Sequence, residues 1–202
     1  MQKRVVDYNT TSIVYYNLKN IYKYYNLEKF EFIIYCLFAF VLPFIIAHPQ
    51  WVIGILVNFF LIRSAIYFRF KYVIPIVLLP SIGVLAAGII FGVNTHFLLY
   101  FIPMIWLANL TYVLSFKYLR FKKKTNLWLT PLIASIIKAA ILFTYTSVLV
   151  FVFNFPIVFL AAMGYLQLIT ALAGGYLGVL SSKFIWLLWL INILKIILLL
   201  RK

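Results

Sequence analysis

A chain of 202 residues that is 66% hydrophobic, 10% charged and carries a formal net charge of +15 does not have the make-up of a water-soluble domain, in which roughly a quarter of residues are charged. No packed soluble core hides this much apolar surface, so the implied solvent is the lipid bilayer and the fold class is an all-α, polytopic membrane helix bundle. The positive charge does not indicate nucleic acid, because the cations fall in short connections beside apolar runs, where they set orientation and meet anionic lipid headgroups.

Residues 1–30 form a separate N-terminal segment rich in Tyr, Asn and Lys. Polar residues interrupt any apolar stretch there, and no small-residue cleavage site follows, so no secretory signal is expected. Val14, Leu18, Ile21, Tyr22 and Tyr25 recur at helical spacing, with Lys19 and Lys23 elsewhere on the wheel. This predicts an amphipathic helix on the cytoplasmic leaflet. Residues 31–202 are expected to form a single transmembrane bundle.

Apolar runs long enough to span occur near 31–47, 51–68, 72–92, 97–117, 128–152, 156–180 and 184–200. Turn chemistry separates them: "HPQ" at 48–50, "RFK" at 69–71, "GVNTH" at 92–96, "FKYLRFKKK" at 116–124, "NFP" at 154–156 and "SSK" at 181–183. Six to seven spans follow. The seventh run either spans or lies along the interface, since Lys195 sits inside it and a seventh span would leave Arg201 and Lys202 outside. Cations cluster in the N-terminal region and in every second connection: Arg69 and Lys71, then Lys117, Arg120 and Lys122 to Lys124, then Lys183. The intervening connections have neither Lys nor Arg. That alternation predicts a multi-pass protein of the cytoplasmic membrane with a cytoplasmic N-terminus.

Enzyme chemistry has little to stand on. Asp7, Glu28 and Glu31 are the whole acidic inventory, so no pair of intramembrane carboxylates exists for acid–base work. No His/Cys/carboxylate grouping has metal-ligand spacing, no cofactor motif is present, and Cys36 reads as a small hydrophobe within the first run. His48 and His96 stand in different outer connections, and Asn9 and Asn109, though formally sequons, fall in a cytoplasmic segment and inside a helix. The protein is expected not to be an enzyme.

The polar residues at depth carry the information. Lys138, in "ASIIKAAILF", lies about ten residues or roughly 15 Å beyond Trp128, near the middle of an apolar layer about 30 Å thick. Placing a lysine there costs roughly 2.5–3.5 kcal/mol. Measured from their outer ends, Asn109 lies about 18 Å and Gln167 about 16 Å deep, so three polar residues of the fourth, fifth and sixth runs share one level. Ser135, Lys138, Leu142 and Tyr145 form one stripe, and Gly164, Gln167, Ala171, Gly174 and Gly178 another. Arg63, about one and a half turns from the basic end, is expected to snorkel. Lys138 is either a ligand-binding cation, assisted by Asn109 and Gln167 with Trp106 and Tyr145 as stacking walls and His96 near the outer mouth, or a packing residue that burial has deprotonated, hydrogen-bonded to amides and fixing helix register.

Three stretches, "PSIGVLAAGIIFG" at 80–92, "YFIPMIWLANLTYVLSFKYL" at 100–119, and "IIKAAILF" with "MGYLQLITALAGG" across 136–175, carry a family resemblance. Together they resemble S components, the substrate-binding membrane subunits of energy-coupling factor transporters. The resemblance implies a six-helix bundle that captures a small vitamin-like or anionic molecule from outside through its fourth to sixth helices. It implies docking on a membrane scaffold subunit that carries two cytoplasmic ATPase subunits, through small residues spaced four apart, a pattern matched by Gly83 and Ala87. The alternative is a membrane assembly or scaffold protein with no small-molecule ligand.

Overall fold

Turn residues and proline define where this chain leaves the helical state, and the computed structural model follows them closely over the residues it describes, 27–46 and 49–200. Side chains are described from Lys29 to Ser182, except at 47 and 48. The expected N-terminal amphipathic helix, His48, Arg201 and Lys202 lie outside the described residues, as do the side chains of Lys183 and Lys195. In chain order the elements are α1 (Leu27–Ile45), α2 (Gln50–Tyr67), α3 (Phe70–Ala87), a 3₁₀ turn (Gly92–Phe97), α4 (Leu98–Lys117) running into a π turn (Tyr118–Lys122), α5 (Leu129–Phe153), α6 (Val158–Met163) and α7 (Tyr165–Leu200). There is no strand among the described residues. Among the described residues, five stretches are long and apolar enough to cross a bilayer: Gln50–Tyr67, Phe70–Ala87, Gly92–Lys122, Leu129–Phe153 and Val158–Ser182.

The stops have local causes. Gly88 ends α3 at φ 68°, and Asn154 ends α5 at φ 55°. Both occupy the left-handed region, which glycine enters freely and asparagine tolerates. Phe68 and Arg69 are extended between α2 and α3, and the Lys117 ammonium donates to the Phe68 carbonyl at 2.9 Å, meeting an acceptor just beyond the end of α2.

Four boundaries differ from expectation. Helix α3 ends at Ala87, inside the run expected to reach residue 92. Helix α1 begins at Leu27, inside the segment assigned to the N-terminal region. The 156–180 run is divided at Gly164, whose φ of −96° and ψ of −105° interrupt the ladder between α6 and α7. The "SSK" stretch at 181–183 is not a turn: α7 continues through it to Leu200. Ser181 and Ser182 donate back to the Gly178 and Val179 carbonyls at 2.9 and 2.7 Å, so their hydroxyls are satisfied within the helix. The expected reversal between a sixth and a seventh span is therefore absent.

Helix α2 is the centre of the bundle, with more than half of its residues buried and neighbours in α1, α3, α4 and α7. Its most extensive contact is with α7. Gly54, Asn58 and Ile62 of α2 meet Thr170, Gly174 and Gly178 of α7, two ridges spaced four residues apart that let the backbones approach closely. A Cβ at Gly174 would overlap the Ile55 carbonyl, and one at Gly178 would stand 3.0 Å from the Ile62 Cβ. Similarly, a Cβ at Gly83 of α3 would overlap the Phe40 carbonyl of α1. Gly83 thus makes its close approach inside this chain, which removes it from the docking patch expected of it. Ala87, half-buried in the last turn of α3, is the member of that pair left near the surface.

Gly174→Ala is expected to destabilise the purified protein by about 1–3 kcal/mol through overpacking against rigid backbone. Leu177→Ala, at an exposed position of the same helix, serves as control. A smaller fall in the unfolding midpoint for Gly174→Ala than for Leu177→Ala would contradict this α2–α7 contact.

Candidate functional site

The centre of the candidate site is Lys138 of α5, which is only 2% exposed. An ammonium group so buried is cut off from bulk water, and neighbouring helices supply its protein partners. It donates to Asn58 Oδ1 of α2 at 2.6 Å, and its Nζ lies 5.3 Å from the centre of the Tyr112 ring of α4. A cation over a ring face at this range is attracted to its quadrupole. Tyr112 is held in place by donating its hydroxyl to the Ala171 carbonyl of α7 at 2.7 Å. Lys138 thereby joins α2, α4 and α5, and α7 through Tyr112.

Asn58 presents its oxygen to the lysine because its nitrogen is already committed. Asn58 Nδ2 donates to the Gly54 carbonyl at 2.8 Å and to Thr170 Oγ1 at 3.4 Å. Thr170 in turn donates to the Gln167 carbonyl at 3.4 Å. With both amide hydrogens used, only the carbonyl oxygen is left to face Lys138.

The expected amide partners are not the ones found. Asn109 is buried in α4 and directs its Nδ2 to the Val77 carbonyl of α3 at 3.4 Å. Trp106 also reaches α3, donating to Ser81 Oγ at 2.7 Å and the Leu78 carbonyl at 3.2 Å. Both side chains meet backbone close to Pro80, where the helical ladder lacks a donor. The sequence ruler for depth applies equally to Asn58, eight residues or about 12 Å below Gln50. It was a legible signal on a helix that the resemblance did not single out.

Lys138, Asn109 and Gln167 do come together on one cavity of about 90 Å³. Asn58, Ser81 and Thr170 supply further polar lining. The wall reaches from Lys138 past Ile105 and Leu166 to Gln50, Trp51 and Phe91, at the ends of α2 and α3 that lack cations. The break at Gly164 sets the first turns of α7 against this space, and the ladder resumes with the Leu168 amide donating to the Gly164 carbonyl at 3.2 Å. Three expected contributors stand off the cavity wall. Trp106 acts through Ser81. Tyr145 packs edge-on against Phe101 and donates to the Tyr100 carbonyl at 2.9 Å. His96 is exposed in the 3₁₀ turn against Phe97.

Arg63 is a second buried cation, 3% exposed. It does not snorkel. Its Nε donates to the Tyr35 hydroxyl at 2.9 Å, its Nη2 pairs with Glu31 Oε1 at 3.5 Å, and its guanidinium lies 4.4 Å over the Tyr67 ring. Glu31 of α1 is close enough to make burial less costly than extension toward the headgroups. No group of His, Cys, Asp and Glu suited to a metal ion occurs among the described residues.

Comparison with protein-family models, curated proteins and solved structures finds no match for this chain.

Removing one partner of the Lys138–Asn58 bond leaves the other buried and unmet, whereas replacing both with apolar side chains removes the deficit. Lys138→Met and Asn58→Leu are each expected to lower stability by about 1–3 kcal/mol. The double variant is expected to recover more than half of the summed loss in denaturant titrations of the purified protein. Additive losses would mean the pair is not coupled.

Proposed function

We propose that this chain is a substrate-capture subunit of a small-molecule uptake system in the cytoplasmic membrane, comparable to the S components it resembles. In this reading α1 is the first span and α6 with α7 the sixth, the basic connections face the cytoplasm, and solute arrives from the opposite side. The protein itself hydrolyses nothing. A membrane scaffold subunit and cytoplasmic ATPase subunits supply the energy.

One observation carries the reading: a buried lysine, unpaired with any carboxylate among the described residues, on a cavity whose wall runs toward the cation-free helix ends. Intramembrane ionisable residues are retained at a cost and mark ligand or ion paths. A charge lacking an anion within the bundle is suited to meet one that arrives. Gln167, Asn109 and Asn58 line the same space and orient what enters.

A second reading, a ligand-free assembly protein, draws on a different observation. Asn58 and the Tyr112 ring already engage Lys138, and 90 Å³ is well below the roughly 300–1,000 Å³ of ordinary ligand pockets. On that reading Lys138 only fixes register among α2, α4 and α5.

Purification from native membranes separates the two. Capture predicts recovery of an ATPase module and a retained small molecule detected by native mass spectrometry, with Lys138→Met losing the molecule while still inserting. Recovery of neither from wild-type membranes would favour the assembly reading.

Topology has its own test. In a Cys36→Ala background, Asn94→Cys is expected to react with a membrane-impermeant maleimide on intact cells, and Lys123→Cys only after permeabilisation. The opposite pattern would invert the orientation.

A further inference from the structure

Resting on the capture reading, we infer that the Lys138 cavity takes a small monoanion, a short carboxylate or an inorganic anion of similar size. The sign follows from the lining. It holds one cationic side chain and no acidic one. A negative charge beside the ammonium is attracted and a positive one repelled, and both effects are larger inside the bundle than in water. An anion is drawn in and a cation is expelled.

Hydrogen-bonding capacity is compatible with that sign. The Ser81 hydroxyl donates to the Leu78 carbonyl at 3.0 Å and accepts from Trp106, while Thr170 donates to the Gln167 carbonyl and accepts from Asn58. Both hydroxyls are therefore occupied in both senses. Lys138 has three N–H donors and directs one to Asn58. Gln167, half-buried on the wall, brings a side-chain amide that makes no hydrogen bond among the described residues. Lys138 thus keeps N–H donors free for an occupant, while the amides of Gln167 and Asn109 can offer it a donor or an acceptor, so the preference for an anion rests on the charge of the lysine.

Size comes from the volume. A cavity of about 90 Å³ is several-fold smaller than the roughly 300–1,000 Å³ of ordinary ligand pockets, which sets a limit at small anions. Acetate, propionate, butyrate or nitrate fit that limit, and a vitamin does not. The single lysine favours one negative charge over two.

The test is calorimetric titration of the full-length protein in lipid nanodiscs, with gluconate, far above the size limit, as background anion. The probes are acetate, nitrate, octanoate, acetamide and methylammonium. Saturable binding of acetate or nitrate is expected, with octanoate and methylammonium silent. Acetate alone would identify a carboxylate site, and nitrate alone an inorganic-anion site. The Lys138→Met/Asn58→Leu double variant, designed to keep the packing, is expected to bind at least tenfold more weakly. Gln167→Leu is expected to bind several-fold more weakly.

Tighter binding of acetamide than of acetate, or unchanged affinity in the double variant, would overturn the anion assignment and leave capture standing. A silent titration with every probe would mean the cavity holds water only and would also overturn it. Capture itself would then depend on whether native membranes yield the protein with a larger retained molecule.

Discussion

Every polar group on α2 below the headgroups has to find its partner inside the bundle, because lipid tails offer no hydrogen bonds. That constraint organises the structure. Asn58 ties α2 to Lys138 of α5 and Thr170 of α7, and Arg63, further along the helix, ties it to Glu31 and Tyr35 of α1. The bond to Thr170 depends on how near α2 and α7 approach. The glycines at 54, 174 and 178 bring α2 and α7 together, and the bond between Asn58 and Thr170 is made within that close approach. Packing and polar satisfaction are one problem here, solved with one set of residues spaced four apart.

Run boundaries were legible where turn chemistry stands at the edge of an apolar run. Asn154 adopts a left-handed conformation that few other residues accept, and "HPQ" and "NFP" carry proline where helices begin, whereas the left-handed Gly88 falls inside the apolar run expected at 72–92. Boundaries that depend on competition were not legible. Ser181 and Ser182 suit a turn, but a serine hydroxyl is equally satisfied by the carbonyl one turn back, and the helix continues. Gly164 looks like another member of the α7 packing stripe. Only tertiary contact, with Phe143 of α5 close against it, distinguishes a break from a close approach.

The candidate site divides in the same way. Depth along a helix is a matter of rise per residue, so the shared level of Lys138, Asn109 and Gln167 followed from counting and they do line one cavity. Which helix faces which is not periodic information. Counting therefore could not tell that the lysine's amide partner comes from α2 while Asn109 and Trp106 serve the backbone of α3 near Pro80. The same ambiguity affected Arg63. One and a half turns from the helix end is a distance compatible with snorkelling or with pairing. The outcome was decided by Glu31, which lies on a different helix.

The two buried cations differ in a way that bears on what the bundle is for. Arg63 meets a carboxylate, a phenol and a ring, so its charge is balanced within the chain and it serves to lock α1 against α2. Such a pair, once closed, gains little from an added ligand and is costly to open. Lys138 receives dipoles only, an amide oxygen and a ring face, and among the described residues no carboxylate pairs with it. Dipoles orient a charge without cancelling it. If register were the whole purpose, a neutral donor in place of the lysine would serve Asn58 at lower desolvation cost. Retaining a lysine beside a cavity is the more expensive arrangement, and that expense is the ground on which we propose an anion as the partner that completes it.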